Sequence, residues 1–387
     1  MIRRELQSEL VEAAGEYPVV SVFGPRQSGK TTLVCSTFPQ LPYYSMENPD
    51  VRAAARTDPR GFLRTLNRRA ILDEIQRTPE LLSYLQEMVD SNKRDTRFVL
   101  TGSHQPFLNQ SISQSLPGRT SVSTLMPFTR AELTGYPATG TVFDAITKGS
   151  FPAVHEESLD VRRFFRSYVQ TCVERDVRAL VAVHDLDRFQ QFLILLAGRV
   201  GQLVNLSALS SDVGVASATL RSWLNVLKAS YLIVELPPWH ANIRKRLVRS
   251  SKLYFTDTGL ACFLLGIENG EQLKRDRQRG GLFENFIVMD IWKSLLHAGE
   301  TPTLYFFRDS HGNEVDLLIR RGGRLIPVEI KSAETFSTGF VDGIRRFARL
   351  VDEPDMAGHV VYAGETSFTV DRVKASPVNQ FQVKELL

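Results

Sequence analysis

Residues 24–31 read Gly-Pro-Arg-Gln-Ser-Gly-Lys-Thr, a full match to the pattern G-x-x-x-x-G-K-[ST]. The flanks supply the setting this pattern needs. Pro18–Phe23 is a short apolar, β-branched run, as a strand buried on both faces should be. Thr32–Thr37 can continue as a helix. Strand, glycine-bounded loop and helix N-terminus together aim backbone N–H groups at one point, where the helix dipole also favours an anion. In this reading Gly24, Pro25, Arg26, Gln27, Ser28 and Gly29, with Thr32, wrap the phosphates of ATP. Lys30 reaches the β- and γ-phosphates, and the Thr31 hydroxyl ligates Mg²⁺.

At 387 residues the chain is too long for one ordinary core, and two or three domains are expected. Hydrophobic residues at 43% and charged residues at 23% are ordinary for a globular protein. A net charge of +4 is compatible with a nucleic-acid partner without requiring one. Cys35, Cys172 and Cys262 lack C-x-x-C or metal-ligand spacing and read as reduced thiols. The charged N-terminus lacks a signal peptide's apolar stretch, and no run approaches the roughly 18–20 apolar residues of a membrane span. A cytoplasmic protein without a membrane partner is expected.

A second strand, Ala70–Glu74, follows about forty residues after the loop and ends in two acids. At a strand's C-terminal edge, Asp73 would hold Mg²⁺, directly or through water, and Glu74 would polarise the attacking water. Two acids opening a loop before Thr78-Pro79 would look the same in isolation; the phosphate loop upstream favours the metal reading. A third strand, Arg97–Thr101, ends in Gly102-Ser103-His104. That sets Ser103 at the ligand edge of an open parallel sheet, near the γ-phosphate or the lytic water. Leu116-Pro-Gly-Arg119 then precedes another strand, Thr120–Leu125. Arg119 can enter a neighbouring subunit's nucleotide site as an arginine finger, or it is a surface turn residue.

Together GPRQSGKT, ILDEIQ, LTGSH, LPGR and Met126-Pro-Phe-Thr-Arg-Ala-Glu132 resemble one family. It is the prokaryotic AAA+ type ATPases that carry a C-terminal domain long catalogued as of unknown function. The likeness continues through Gly149-Ser-Phe-Pro152, similar to that family's G-[GS]-[FY]-P element near the nucleotide, and Tyr168…Glu174-Arg175-Asp176. Tyr254-Phe-Thr-Asp-Thr-Gly-Leu260 is a further hallmark, in which Asp257 is read as structural. The resemblance covers essentially the whole chain and implies a homo-oligomer, a hexameric ring in particular.

Residues 160–200 carry apolar positions at helical spacing. The stretch from Leu206 to Leu224 resembles a winged helix-turn-helix. Leu206–Leu209 opens one helix, Gly214 sits in the turn, and Ser217 caps a second helix running to Lys228. Leu220, Trp223, Leu224 and Leu227 form its apolar stripe. Its outer face offers Arg221, Ser222 and Asn225, fewer base-reading side chains than usual, so duplex reading stands beside a packing role. Asn242–Lys252 holds five basic residues and no acid, which can track a phosphate backbone or form a solvated loop.

After a charged connector, Glu271–Arg279, the pattern becomes helix, strand, strand, strand. Gly281–Trp292 is an amphipathic helix with Glu284 near its start. Thr303–Phe307, Asn313–Ile319 and Arg324–Lys331 read as strands, with Arg320-Arg-Gly-Gly323 turning between the last two. Period-two alternation puts Glu329 and Lys331 on one face, and pairing about the turn sets Asp316 opposite 327–329. Two carboxylates beside an ammonium form an oxygen-ligand site for Mg²⁺ or Mn²⁺. There the metal would activate water and neutralise a scissile phosphate, and Lys331 would orient or deprotonate that water. The D…E-x-K hairpin resembles the PD-(D/E)xK nuclease fold of restriction enzymes and Holliday-junction resolvases, with Val315 in place of the proline. By that resemblance Asp316, Glu329 and Glu284 hold the metal and Lys331 is catalytic.

The expected fold is α/β: an AAA+ P-loop core with a parallel sheet over 1–140, a helical lid and winged helix-turn-helix-like region over 141–265, and a restriction-endonuclease-like α/β domain over 266–387. The expected function is Mg²⁺-dependent ATP hydrolysis coupled to a metal-dependent nuclease acting on nucleic acid, DNA favoured. The alternative is an ATP-switched oligomeric regulator whose C-terminal domain binds nucleic acid or a partner without cutting. A small-molecule kinase is disfavoured, because over 200 residues follow the nucleotide-binding core.

Overall fold

The structure, a computed structural model, describes residues 2–93, 95–103, 115–134, 140–174, 186–240 and 250–386. His104, Arg175, Asp176 and positions 242–249 of the basic stretch lie outside those residues. No helix among the described residues is long and apolar enough to cross a membrane.

Five short strands make a wholly parallel sheet in the order β2-β3-β4-β1-β5: β1 (Val19–Phe23), β2 (Tyr43–Ser45), β3 (Arg69–Asp73), β4 (Arg97–Gly102) and β5 (Thr120–Thr124). Every residue of β1 is buried. Alternation splits it between two layers. Val20 and Val22 pack with Leu6, Leu10, Leu33 and Val34 of the helices Leu6–Glu16 and Lys30–Thr37. Val19 and Phe23 pack with Leu81, Leu82 and Leu85 of the helix Leu81–Ser91 on the other side. Because the strands are parallel, their C-terminal ends share one edge, and β4 separates the loop after β1 from the acids after β3.

The middle region is mainly helical. The helix Val161–Tyr168 runs on through a π turn, Val169–Val173. In the stretch read as helix-turn-helix, Asn205 caps Leu206–Val213 by accepting the Ser207 and Ala208 N–H groups at 3.1 Å, and Gly214 ends that helix at φ +70°. The next helix, Ser217–Ala229, has Ser217 as its first helical residue rather than its cap, and no side-chain cap bond. Its Leu220, Trp223, Leu224 and Leu227 are buried, with Phe189 edge-on to Trp223. A hairpin of β6 (Ile233–Leu236) and β7 (Lys252–Phe255) follows.

The C-terminal sheet has six strands in the order β12-β13-β11-β10-β9-β8. These are β8 (Leu304–Arg308), β9 (Glu314–Arg321), β10 (Arg324–Lys331), β11 (Gly358–Tyr362), β12 (Phe368–Val370) and β13 (Val373–Pro377). Strands β8, β9 and β10 pair antiparallel, and β11 joins β10 in parallel. Gly322 and Gly323, at φ +54° and +82°, make the two-residue turn that returns β9 as β10. One continuous cluster of buried apolar residues runs from Phe143 in the helical region to Leu386 beside this sheet.

The helix Arg279–His297 joins everything, through polar residues that are themselves buried. Asn285 bonds both the N–H and the C=O of Phe255 at 2.7 Å. Asp290 accepts the Arg130 N–H at 2.8 Å, and Lys293 donates to Ser150 Oγ at 2.7 Å. His297 Nε2 accepts the Met126 N–H at 3.0 Å, which puts the ring proton on Nδ1, 3.3 Å from Glu132 Oε1. Burial, opposed by Glu132, keeps this imidazole neutral. Glu132 in turn accepts from Arg4 Nε at 3.0 Å and from the N–H groups of Glu5 and Thr129 at 2.8 and 2.9 Å.

Although burial opposes it, these donors and His297 lower the Glu132 pKa from 4.5 to about 2. A depressed folded-state pKa contributes stability that is full above pH 4.5 and lost as pH falls through about 2. Glu132→Gln should therefore cost about 3 kcal/mol at neutral pH and flatten the acid limb of stability in that window. Denaturant unfolding from pH 7 to pH 2 tests this; an unchanged acid limb would contradict the assignment.

Candidate functional site

The loop after β1 is shaped by its glycines. Gly24 and Gly29 have φ +150° and +89°, and a Cβ on Gly24 would sit 2.0 Å from the Leu125 carbonyl oxygen. Gln27 is also left-handed, at φ +61°. The helix Lys30–Thr37 starts at once, so its N-terminus faces the loop. Lys30 is buried, and its ammonium donates to the Gly24 and Pro25 carbonyls at 3.1 and 2.7 Å. Arg26, Gln27, Gly29, Lys30, Thr31 and Thr32 line a cavity of about 390 Å³, which Thr171 and Cys172 of the π turn also line. Beyond Gly29 a cavity of about 570 Å³ opens, bordered by Arg4, Pro152 and Tyr168. Ser28 offers its carbonyl to Arg4 at 2.8 Å.

Asp73, at the end of β3, is buried and meets three hydroxyls. Thr31 Oγ1 lies 3.1 and 3.2 Å from its two oxygens, Tyr43 donates at 2.7 Å, and Thr101 donates from β4. A carboxylate beside the loop threonine suits Mg²⁺, a hard cation. Burial and Asp73 together push the Tyr43 phenol upward, so it stays a donor. Glu74 takes a left-handed φ of +54° and lines the same cavity as Thr31. Ser103 donates to Glu74 Oε2 at 3.1 Å, and Gln76 reaches the same oxygen. Ser103 and Glu74 thus meet at the ligand edge of the sheet. Tyr43, Thr101 and Gln76 were not foreseen; β2 is three residues long and gives little periodicity to read.

Arg119 lies at the opposite end of the sheet. It precedes β5, whose first residue pairs with Val19 while its last pairs with Phe23 next to the loop. Its guanidinium grips Asp90 through two bonds of 2.6 and 3.0 Å and is remote from the loop of its own chain.

A second group of charges lies on the C-terminal sheet. The β9–β10 ladder ends at Leu317–Val328, one step short of an Asp316–Glu329 pair. Asp316 instead accepts the Ile330 N–H at 2.8 Å, and Lys331 Nζ lies 3.1 Å from Asp316 and 2.5 Å from Glu329. The helix Asp342–Leu350 comes so close that a Cβ on Gly343 would fall 2.0 Å from Glu329 Oε1. Burial and the Asp316 charge push Glu329 well up, whereas Asp316, despite its burial, is held low by Lys331 and Lys252.

Glu284 is near but separately held. Lys252 of β7, itself buried, lies 2.9 Å from Glu284 and 2.6 Å from Glu314, and Tyr254 donates to Glu284 at 2.6 Å. Burial, offset by Lys252, raises the Glu284 pKa to about 7. The oxygens of Glu284, Asp316 and Glu329 do not all come within 4.8 Å of one another, so the three acids are not one ready ligand set. Lys252 intervenes. Among the described residues the trio that does converge is Glu5, Glu132 and His297, where Arg4 already supplies the cation.

A five-stranded parallel sheet with this loop and these acids defines a P-loop ATPase of the AAA type, and residues 16–134 match the family described as "AAA domain". Residues 140–271 and 279–381 match two families described as domains of unknown function, DUF8612 and DUF4143. The uncharacterized protein Rv2008c of Mycobacterium tuberculosis is 34% identical over 395 residues, covering 100% of this chain and 86% of its own. Mb2031c of Mycobacterium bovis matches with the same figures. The chain belongs to the family of these mycobacterial proteins. It is also similar to two solved structures. The Walker-type ATPase PABY2304 of Pyrococcus abyssi has 16% identity over 68% of this chain and 96% of that one, with a TM-score of 0.44. AMPPCP-bound DnaA from Aquifex aeolicus has 13% identity over 58% and 86%, with a TM-score of 0.31. The family assignment rests on the sequence matches.

Lys30→Ala is expected to abolish nucleotide binding in a fluorescent-nucleotide titration. Glu74→Gln should bind ATP as the parent does and lose about 100-fold or more in kcat, the scale of a lost general base. Undiminished hydrolysis in Glu74→Gln would remove that residue from the chemistry.

Proposed function

We propose that this ATPase couples ATP turnover to a metal-dependent cut in nucleic acid, DNA rather than RNA, made at the C-terminal sheet. The observation that carries the reading is Lys331 clasped by Asp316 and Glu329 on adjacent strands, both carboxyls buried. The arrangement fits the D…E-x-K hairpin of PD-(D/E)xK nucleases. The donor set also fits a hard divalent ion. Four carboxylates (Glu284, Glu314, Asp316, Glu329) face two ammoniums (Lys252, Lys331), with Arg308 touching Glu314 at 3.8 Å from the rim. Asp316 and Glu329 would hold Mg²⁺ or Mn²⁺, with Glu284 joining once released by Lys252. The ion would supply an acidified water and charge neutralisation at a phosphate. Lys331 orients or deprotonates that water.

At the nucleotide site Thr31 and Asp73 would hold Mg²⁺, Glu74 activates water, and Arg119 completes a neighbour's site in a homo-oligomeric ring. The remoteness of Arg119 from its own loop supports action between subunits. A second reading, an ATP-switched regulator that binds nucleic acid without cutting, draws support from Lys252, whose hold on Glu284 keeps the third acid from the pair.

Purified protein with Mn²⁺ should nick or degrade DNA, and Lys331→Ala or Glu329→Gln should remove at least about 99% of that activity, as loss of a metal-site group does. DNA binding without any Mn²⁺-dependent cleavage would favour the second reading. In a separate test, mixing Arg119→Ala with Lys30→Ala protein should restore part of the hydrolysis that each lacks alone. No rescue would return Arg119 to a surface turn.

A further inference from the structure

A cavity of about 410 Å³ lies where the three matched regions meet, apart from both candidate sites. Its walls include Phe128 and Arg130 after β5, Ser150 of the helical region, and Phe286, Met289 and Lys293 of the helix Arg279–His297. Lys293 is the anomaly. It is 5% exposed, and among the described residues its one hydrogen bond is to Ser150 Oγ at 2.7 Å and no carboxylate makes an ion pair with it. Burying an ammonium without a direct counter-ion is expensive, and burial lowers the Lys293 pKa although Asp257, Asp290 and Glu132 favour its charge from farther off. Ser150 cannot neutralise it: the N–H and hydroxyl of Ser150 both donate to Asp257 at 2.7 Å, which leaves Asp257 one residue removed from the ammonium.

A second donor is also unmet. Arg130 Nη1 is buried without a hydrogen bond, 3.5 Å from Asp290, while Nη2 is taken by the carbonyls of Val378 and Phe381. At the mouth Lys148 is exposed and has no ion pair among the described residues. The acids that line the cavity are already committed. Asp290 accepts the Arg130 N–H at 2.8 Å, and Asp144 accepts the Thr141 and Gly270 N–H groups at 2.8 and 3.2 Å. His155 is tied to the Gly149 carbonyl at 2.9 Å. The unmet capacity is therefore donor capacity, set among apolar walls.

We propose that this cavity binds a small organic anion. Its carboxylate or phosphate is held by Lys293 and by the unbonded Nη1 of Arg130, and its apolar body lies against Phe128, Phe286 and Met289. Inorganic phosphate would leave the apolar walls wet, and a neutral ligand would leave the ammonium uncompensated. Because all three regions contribute walls, the occupant ties them together.

The test is a thermal-shift and calorimetric titration of the full chain with benzoate, phenyl phosphate and neutral benzamide. One of the two anions should bind saturably and raise Tm, and the stronger of them tells carboxylate from phosphate recognition; benzamide should do neither. Lys293→Met should abolish the response, read as the ligand-induced rise in Tm relative to that variant's own free protein. If that variant fails to fold, Ala145→Trp on the exposed rim should block entry and remove the response in a folded protein. No response to either anion, an equal response to benzamide, or binding that survives Ala145→Trp overturns the proposal.

Discussion

The buried Arg4–Glu132 pair is the interaction on which the rest of the structure depends. Arg4 reaches the Ser28 carbonyl inside the nucleotide loop and the Met126 carbonyl at the end of the parallel sheet, while Glu132 faces His297 at the end of the long helix. Four segments distant in sequence are thereby held by one guanidinium and one carboxylate. Both groups are almost out of water, so removing one leaves the other as an uncompensated charge, the costly way to break a buried pair. The loop's own geometry, with Gly24 against Leu125, is then locked from outside as well as by its backbone.

What could be read from the sequence follows a clear line. The nucleotide loop, Asp73 and Glu74 were legible because each lies where a strand ends, and a parallel sheet gathers strand ends at one edge. The Asp316–Glu329–Lys331 group was legible because a two-residue turn at Gly322-Gly323 dictates register. What was missed came from across the chain. Arg4 is one of two adjacent arginines near the N-terminus, with nothing in the sequence to mark it from Arg3, and Tyr43 sits in a strand of three residues. Lys252 belonged to a basic run that suggested a solvated or phosphate-facing surface; the structure instead buries it between Glu284 and Glu314. Composition counts charges but cannot say which ones fold inward.

The two charged sites contrast in how they are balanced. At the first, hydroxyls of Thr31, Tyr43 and Thr101 surround Asp73, a neutral shell that a cation can enter without evicting a charge. At the second, ammoniums already sit against the acids, so the charge is balanced from within. Lys252, paired with Glu284 and Glu314, makes the β6–β7 hairpin part of that charged cluster.

The helix from Arg279 to His297 is 19 residues, a rod of about 28 Å. Glu284 lies near one tip and His297 at the other, in reach of the loop through Glu132 and Arg4. A rod this long magnifies small rotations: a tilt of about 5° about one tip carries the other by roughly 2 Å. The two charged clusters therefore share one rigid element, pinned along its length by Asn285, Asp290 and Lys293.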